Sequence, residues 1–129
     1  MKRPTPADYQ SDTLFPRVQR AMTELLRAGQ PVSAPAVFVR MGVLRQADLG
    51  AWRLGRVAYL ERVILGNLSK INRVLRIISL YAHDLQLFLA PPHSAGAVRY
   101  RGRALRFSKT GDVGLEERSR RVFVARPPN

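Results

Sequence analysis

At 129 residues, 46% of them hydrophobic, the chain has one domain's length and enough apolar side chains for one core. It holds no cysteine, which excludes disulfides, thiolate nucleophiles and cysteine-based zinc or iron sites, and nine Gly with nine Pro are too few for wholesale disorder. Twenty-two basic residues against nine acidic ones leave a formal charge of +13, a self-repulsion that weakens the folded state unless a polyanion relieves it.

Nucleic acid is the commonest such polyanion, because each phosphate neutralised releases a condensed counterion. Of the basic residues 19 are Arg and 3 are Lys. Arg forks onto phosphate or guanine with two bonds, whereas Lys acts as a point charge. GC-rich coding accounts for the Arg-to-Lys ratio equally well, but not for the shortage of acids.

Residues 1–11 are polar, carry Pro4 and Pro6 and lead into no apolar run, so they read as a flexible arm without a signal peptide. A first helix is expected over 12–28. Asp12 or Thr13 caps it, Pro16 suits its first turn and Gly29 its left-handed stop. Leu14, Phe15, Val18, Met22 and Leu25 form its inner side, with Arg17, Arg20 and Arg27 outward. Ser33 is the next N-cap, with Pro35 in the first turn and Gly42 as the stop of a short helix. A strand is the rival for Val37-Phe38-Val39, because β-branched and aromatic residues favour strands. A third helix over 45–53 turns Leu49 and Trp52 inward and ends at Gly55.

Three short helices with glycine-containing turns suggest a helix-turn-helix, in which Arg45, Gln46, Arg53 and Arg56 reach bases or phosphates. Phe38 stands where that motif wants a small residue, so the alternative is a plain helical core plugged by Trp52. Over 59–85 a long amphipathic helix follows. Ile64, Leu68, Ile71, Leu75, Ile78, Ala82 and Leu85 make one stripe, widened by Val74, Ile77 and Tyr81. Arg62, Arg73 and Arg76 share its opposite pole with Lys70 beside them, and Gly66 interrupts the polar side. Residues 86–96, with Pro91, Pro92 and Gly96, read as a surface loop.

Residues 98–107 alternate around Gly102-Arg103, which fits a two-residue hairpin turn beginning with glycine. That register sets Arg101 opposite Ala104, Tyr100 opposite Leu105, Arg99 opposite Arg106 and Val98 opposite Phe107. Two facing arginines repel unless they splay into water, accept Glu116 or Glu117 between them, or hold an external anion. In the last case the hairpin is a phosphate-gripping wing, and Ser108-Lys109-Thr110-Gly111 extends it. Residues 112–121 read as a turn or short helix, and Val122-Phe123-Val124 as a third strand beside the hairpin.

Trp52-Arg53-x-Gly55-x-x-x-Tyr59-Leu60-Glu61-Arg62-Val63, Gly66-Asn67-Leu68-x-Lys70 and Leu105-Arg106-Phe107-Ser108-Lys109-x-Gly111 together resemble a group of small uncharacterised bacterial proteins. The resemblance spans about residues 33–124. It implies that helix and hairpin form one unit, and it carries over no functional residues because the group has no assigned activity.

No nucleophile, nucleotide fingerprint or metal-ligand spacing accompanies His83 and His93, and Asp48 with Glu61 is better suited to neutralising Arg53, Arg56 or Arg62. The expected fold is therefore α+β. Residues 12–124 form one domain of three short helices and one long helix, followed by a hairpin or three-stranded sheet, resembling a winged helix, and 125–129 fray. The expected role is non-enzymatic nucleic-acid binding in the cytoplasm, DNA before RNA, without cofactor, metal or membrane. Arg99, Arg101, Arg103, Arg106 and Lys109 grip phosphates, and Arg45, Arg53, Arg56, Arg62, Arg73 and Arg76 supply a second basic surface. The rival role is a basic adaptor docking on an acidic protein or within a ribonucleoprotein.

Overall fold

The computed structural model describes residues 3–90 and 99–126, and its core gathers on α4 (Leu68–Asp84). That helix buries Ile71, Val74, Leu75, Ile77, Ile78 and Ala82. Against it packs α1 (Phe15–Arg27), whose buried Phe15, Val18, Met22 and Leu25 recur at helical spacing. Asp12 Oδ1 accepts the Leu14 N–H and Gly29 turns out of α1 at φ +69°. On α1 lies α2 (Ala34–Arg40), where the Ser33 hydroxyl accepts the Ala36 N–H and Phe38 is fully buried. The cap and proline thus decide for helix over the strand that Val37-Phe38-Val39 offered. Next, α3 (Gln46–Arg53) buries Leu49 and Trp52, and α5 (Val113–Arg120) closes over α2 and α4.

The expected 59–85 helix is two elements. Leu60–Val63 is a 3-10 turn, and α4 starts only at Leu68, because Asn67 caps it by accepting the Lys70 N–H at 2.8 Å and Gly66 takes φ +125°. Apolar periodicity runs on through the break because Leu60 and Ile64 are buried all the same. The break exposes backbone: the N–H groups of Leu60 and Glu61 donate to the carbonyls of Arg106 and Phe107, and that of Leu65 to Val43.

The fold is α+β as expected, but its strands sit differently. In an antiparallel sheet, β5 (Val122–Val124) lies between β1 (Val32–Ser33) and β2 (Phe88–Leu89), pairing Val32 with Phe123 and Phe88 with Val124. The expected third strand therefore joins the helical half and not the hairpin. The hairpin, β3 (Arg99–Tyr100) with β4 (Arg103–Ala104), stands apart and turns at Arg101-Gly102, one residue earlier than expected. Both turn residues have positive φ, 53° and 79°, the backbone of the hairpin turn whose twist matches its strands. Arg99 faces Ala104 and Tyr100 faces Arg103, so the expected Arg99–Arg106 confrontation does not form. Val98 and the 91–96 part of the expected loop lie outside the described residues.

The expected loose arm is tied down from Pro4 on. Pro4 and Tyr9 are buried, the Tyr9 hydroxyl donates to Asp84, and Arg76 Nε donates to the Pro4 carbonyl. Burial and the Asp84 carboxylate both raise the Tyr9 pKa, because each disfavours the phenolate. No helix among the described residues is long and apolar enough to cross a membrane.

Candidate nucleic-acid interface

Trp52 faces inward from the last turn of α3, and its indole Nε1–H donates to the Arg106 carbonyl at 2.8 Å. The same carbonyl takes the Leu60 N–H, so two elements hold one point of the segment after the hairpin. Phe107 is pinned next to it. Its ring stacks on Phe38 with centroids 6.3 Å apart, and its carbonyl accepts the Glu61 N–H. Glu116, buried on α5, accepts the Phe107 N–H at 2.9 Å and both the N–H and hydroxyl of Ser108 at 2.8 Å. Glu61 Oε1 accepts the Lys109 N–H. Residues 106–109 are therefore fixed by α3, the Leu60–Val63 turn and α5 at once.

The hairpin leans on the same junction. A Cβ added at Gly55 would stand 2.9 Å from Tyr100 Cδ1, so the Leu54-Gly55-Arg56 bend touches the hairpin aromatic directly. Arg99 and Arg101 flank Tyr100, and Arg53 and Arg56 flank Gly55. The contacts thus bring Arg53, Arg56, Arg62, Arg99, Arg101, Arg103, Arg106 and Lys109 together around one junction.

They differ in how free they are. Arg53, Arg56, Arg62 and Arg103 are exposed and their side chains have no hydrogen-bond or ion-pair partner among the described residues, and Lys109 Nζ is likewise open. Arg101 lies over the Tyr100 ring, 5.3 Å from its centroid. Arg99 Nη1 donates to the Gly102 carbonyl, and Arg106 Nη2 donates to the carbonyls of Ser108 and Lys109. These acceptors are backbone carbonyls, so no carboxylate pairs with either guanidinium among the described residues.

Three of the expected basic residues lie elsewhere. Arg45 is ion-paired with Asp48, Nε to Oδ2 at 2.9 Å, and its hydrogen bonds hold the Asp48 carboxyl below the ordinary range. Arg73 binds Asp12 through Nε and Nη2, and Arg76 binds the Pro4 carbonyl, so both face the N-terminal segment. Burial pulls the Asp12 carboxyl upward, but the Arg73 hydrogen bonds and the Leu14 N–H outweigh it and leave the pKa lowered. The expected face shared by Arg62, Arg73 and Arg76 is therefore split. The helix break at Gly66-Asn67 removes Arg62 from α4 altogether.

The acids explain which arginines stay free. Among the described residues, ion pairs join Asp12 to Arg73, Glu24 to Arg40, Asp48 to Arg45, Glu116 to Arg120 and Glu117 to Arg121. Hydrogen bonds also reach Asp8 from the Thr5 N–H, Glu61 from the Lys109 N–H, Asp84 from Tyr9 and Asp112 from the Leu115 N–H. Asp48 and Glu61, expected to neutralise Arg53, Arg56 or Arg62, are thus occupied elsewhere, and neither Glu116 nor Glu117 bridges the hairpin arginines. Sequence reasoning missed the anchoring roles of Trp52 and Glu116. For Glu116 a signal existed, since an Asp112 N-cap sets the residue one turn into a helix.

No protein-family model, no curated protein and no solved structure matches the chain.

Proposed function

We propose that the chain is a small, non-enzymatic, cytoplasmic nucleic-acid-binding protein, with duplex DNA favoured over RNA, that holds phosphates with the arginines of the junction. The observation that carries this reading is the set Arg53, Arg56, Arg62, Arg101 and Arg103, exposed and unmatched by any carboxylate among the described residues. They project from backbone fixed by Trp52, Glu61 and Glu116. Guanidiniums on a fixed frame bind phosphate with less ordering cost than guanidiniums on a loose tail. Tyr59 and Tyr100 are only half-exposed, and Arg101 lies over the latter, so the junction offers no open platform for stacking unpaired bases. Its carboxylates, Glu61 and Glu116, accept backbone N–H groups and so serve to hold the loop that carries the arginines.

The test is fluorescence anisotropy of a labelled generic duplex with wild type, with Arg53→Gln/Arg56→Gln/Arg103→Gln, and with Arg20→Gln/Arg27→Gln on α1. The junction variant binds about tenfold or more weakly at low salt, because three phosphate contacts are lost, while the α1 variant loses far less. Equal losses in the two variants contradict a defined surface. If wild type ignores duplex at about 50 mM salt and purifies with a stoichiometric acidic protein, the adaptor role replaces this one.

A further inference from the structure

A cleft of about 550 Å³ that shares no lining residue with the junction opens between α4, the N-terminal segment and α5, lined by Arg3, Arg73, Arg76 and Arg118 together with Ser69 and Asn72. From these residues we infer that the cleft is a second anion site, separate from the junction, that takes a small ligand carrying two or more linked phosphates.

Four guanidiniums line one concavity with no carboxylate in its lining among the described residues. Asp12 cancels Arg73 from the adjoining cleft, where Asp8 also lies. The others are held by neutral oxygens: Arg76 Nε on the Pro4 carbonyl at 3.1 Å and Arg118 Nη2 on Asn72 Oδ1 at 3.2 Å. A neutral acceptor fixes a guanidinium without discharging it, and each of these arginines keeps most of its five donors for a ligand. Arg3, at the rim, has no side-chain partner among the described residues. Arg3, Arg76 and Arg118 are ion-paired with no carboxylate among the described residues, though Arg3 also borders the adjoining cleft with Asp8 and Asp12, and this excess of positive charge suits linked phosphates better than a carboxylate or a single phosphate.

Leu68 and Ser69, the first two residues of α4, also line the cleft and add the positive end of a helix of 17 residues. The volume lies within the range of small-molecule sites, about 300–1,000 Å³. Among the described residues no aromatic side chain lines it, so recognition rests on the phosphates and not on stacking of a nucleobase.

The test is isothermal titration of the full chain with inorganic pyrophosphate, tripolyphosphate and orthophosphate. Pyrophosphate and tripolyphosphate bind saturably and at least tenfold more tightly than orthophosphate. Arg118→Gln weakens pyrophosphate binding tenfold or more. Among the described residues the half-buried Arg118 side chain makes one hydrogen bond, to Asn72 Oδ1, and circular dichroism checks that this variant keeps the fold. Arg76→Gln acts in the same direction. The junction variant Arg53→Gln/Arg56→Gln/Arg103→Gln leaves pyrophosphate binding within twofold, so this site stands or falls independently of the nucleic-acid reading. Absence of saturable pyrophosphate binding overturns the inference, and so does equal loss in the junction and cleft variants. Displacement of bound pyrophosphate by a short oligonucleotide through Arg118 also overturns it, since the cleft is then a continuation of the nucleic-acid surface.

Discussion

Replacing Glu116 by Gln removes the charge that holds residues 107–108 without changing the volume. One carboxylate oxygen accepts the Phe107 N–H at 2.9 Å and the other accepts the N–H and hydroxyl of Ser108 at 2.8 Å. A carboxamide keeps one acceptor oxygen and turns an NH2 donor toward the remaining N–H, which is then buried without a partner. Hydrogen bonds to charged groups contribute about 1.5–3 kcal/mol each, and an orphaned buried donor costs about 1–3 kcal/mol. Two charge-assisted bonds weaken and one donor is orphaned, so Glu116→Gln destabilises by about 3 kcal/mol, or roughly 10 °C in Tm for a domain of this size. Urea denaturation followed by circular dichroism measures it, with the m-value unchanged because the surface exposed on unfolding is the same. A loss under about 1 kcal/mol would refute the reasoning, since it means that these N–H groups find another acceptor.

Trp52→Phe deletes the bond to the Arg106 carbonyl and shrinks a buried indole to a phenyl ring. That carbonyl retains the Leu60 N–H, so the lost bond costs only about 1 kcal/mol, and the cavity left by the smaller ring raises the loss by urea denaturation to about 2 kcal/mol or more. Gly55→Ala meets both a φ of +73° and the Tyr100 ring at 2.9 Å, costs about 2 kcal/mol in thermal unfolding and weakens duplex binding by moving the hairpin. Asp12 has a folded-state pKa below its usual 3.8, so the stability it contributes is present above that pH and lost as pH falls further. Asp12→Asn therefore flattens the acid limb of the stability profile. Tyr9 is shifted the opposite way, up from 10.0, so its contribution is present below pH 10 and lost above it. Tyr9→Phe removes that alkaline limb.

Much of the helical half was legible because its signals are local. Ser33 and Asp12 cap as their side chains predict, and the inner residues of α1 and α4 recur at helical spacing. The break at Gly66-Asn67 was hidden because Leu60 and Ile64 keep the apolar period while leaving the helix. Two-residue strands such as β1 and β2 carry no period at all, and their pairing with β5 is a contact between distant segments. The hairpin turn was misplaced because Arg101 takes a left-handed backbone that sequence reasoning reserves for Gly, Asn or Asp. At the candidate site the charge excess was legible and its location was not. Which arginines remain free depends on where the few carboxylates fall, and partners such as Asp12 and Arg73 lie 61 residues apart.

The central claim is that a fixed group of junction arginines meets phosphates, and a salt series on duplex binding tests it most directly. For wild type the logarithm of the association constant falls linearly with the logarithm of salt concentration, at about 0.9 per phosphate contacted. Arg53→Gln/Arg56→Gln/Arg103→Gln lowers that slope by roughly 2.7, three contacts' worth. An unchanged slope in this variant, or a flat line for wild type, contradicts it.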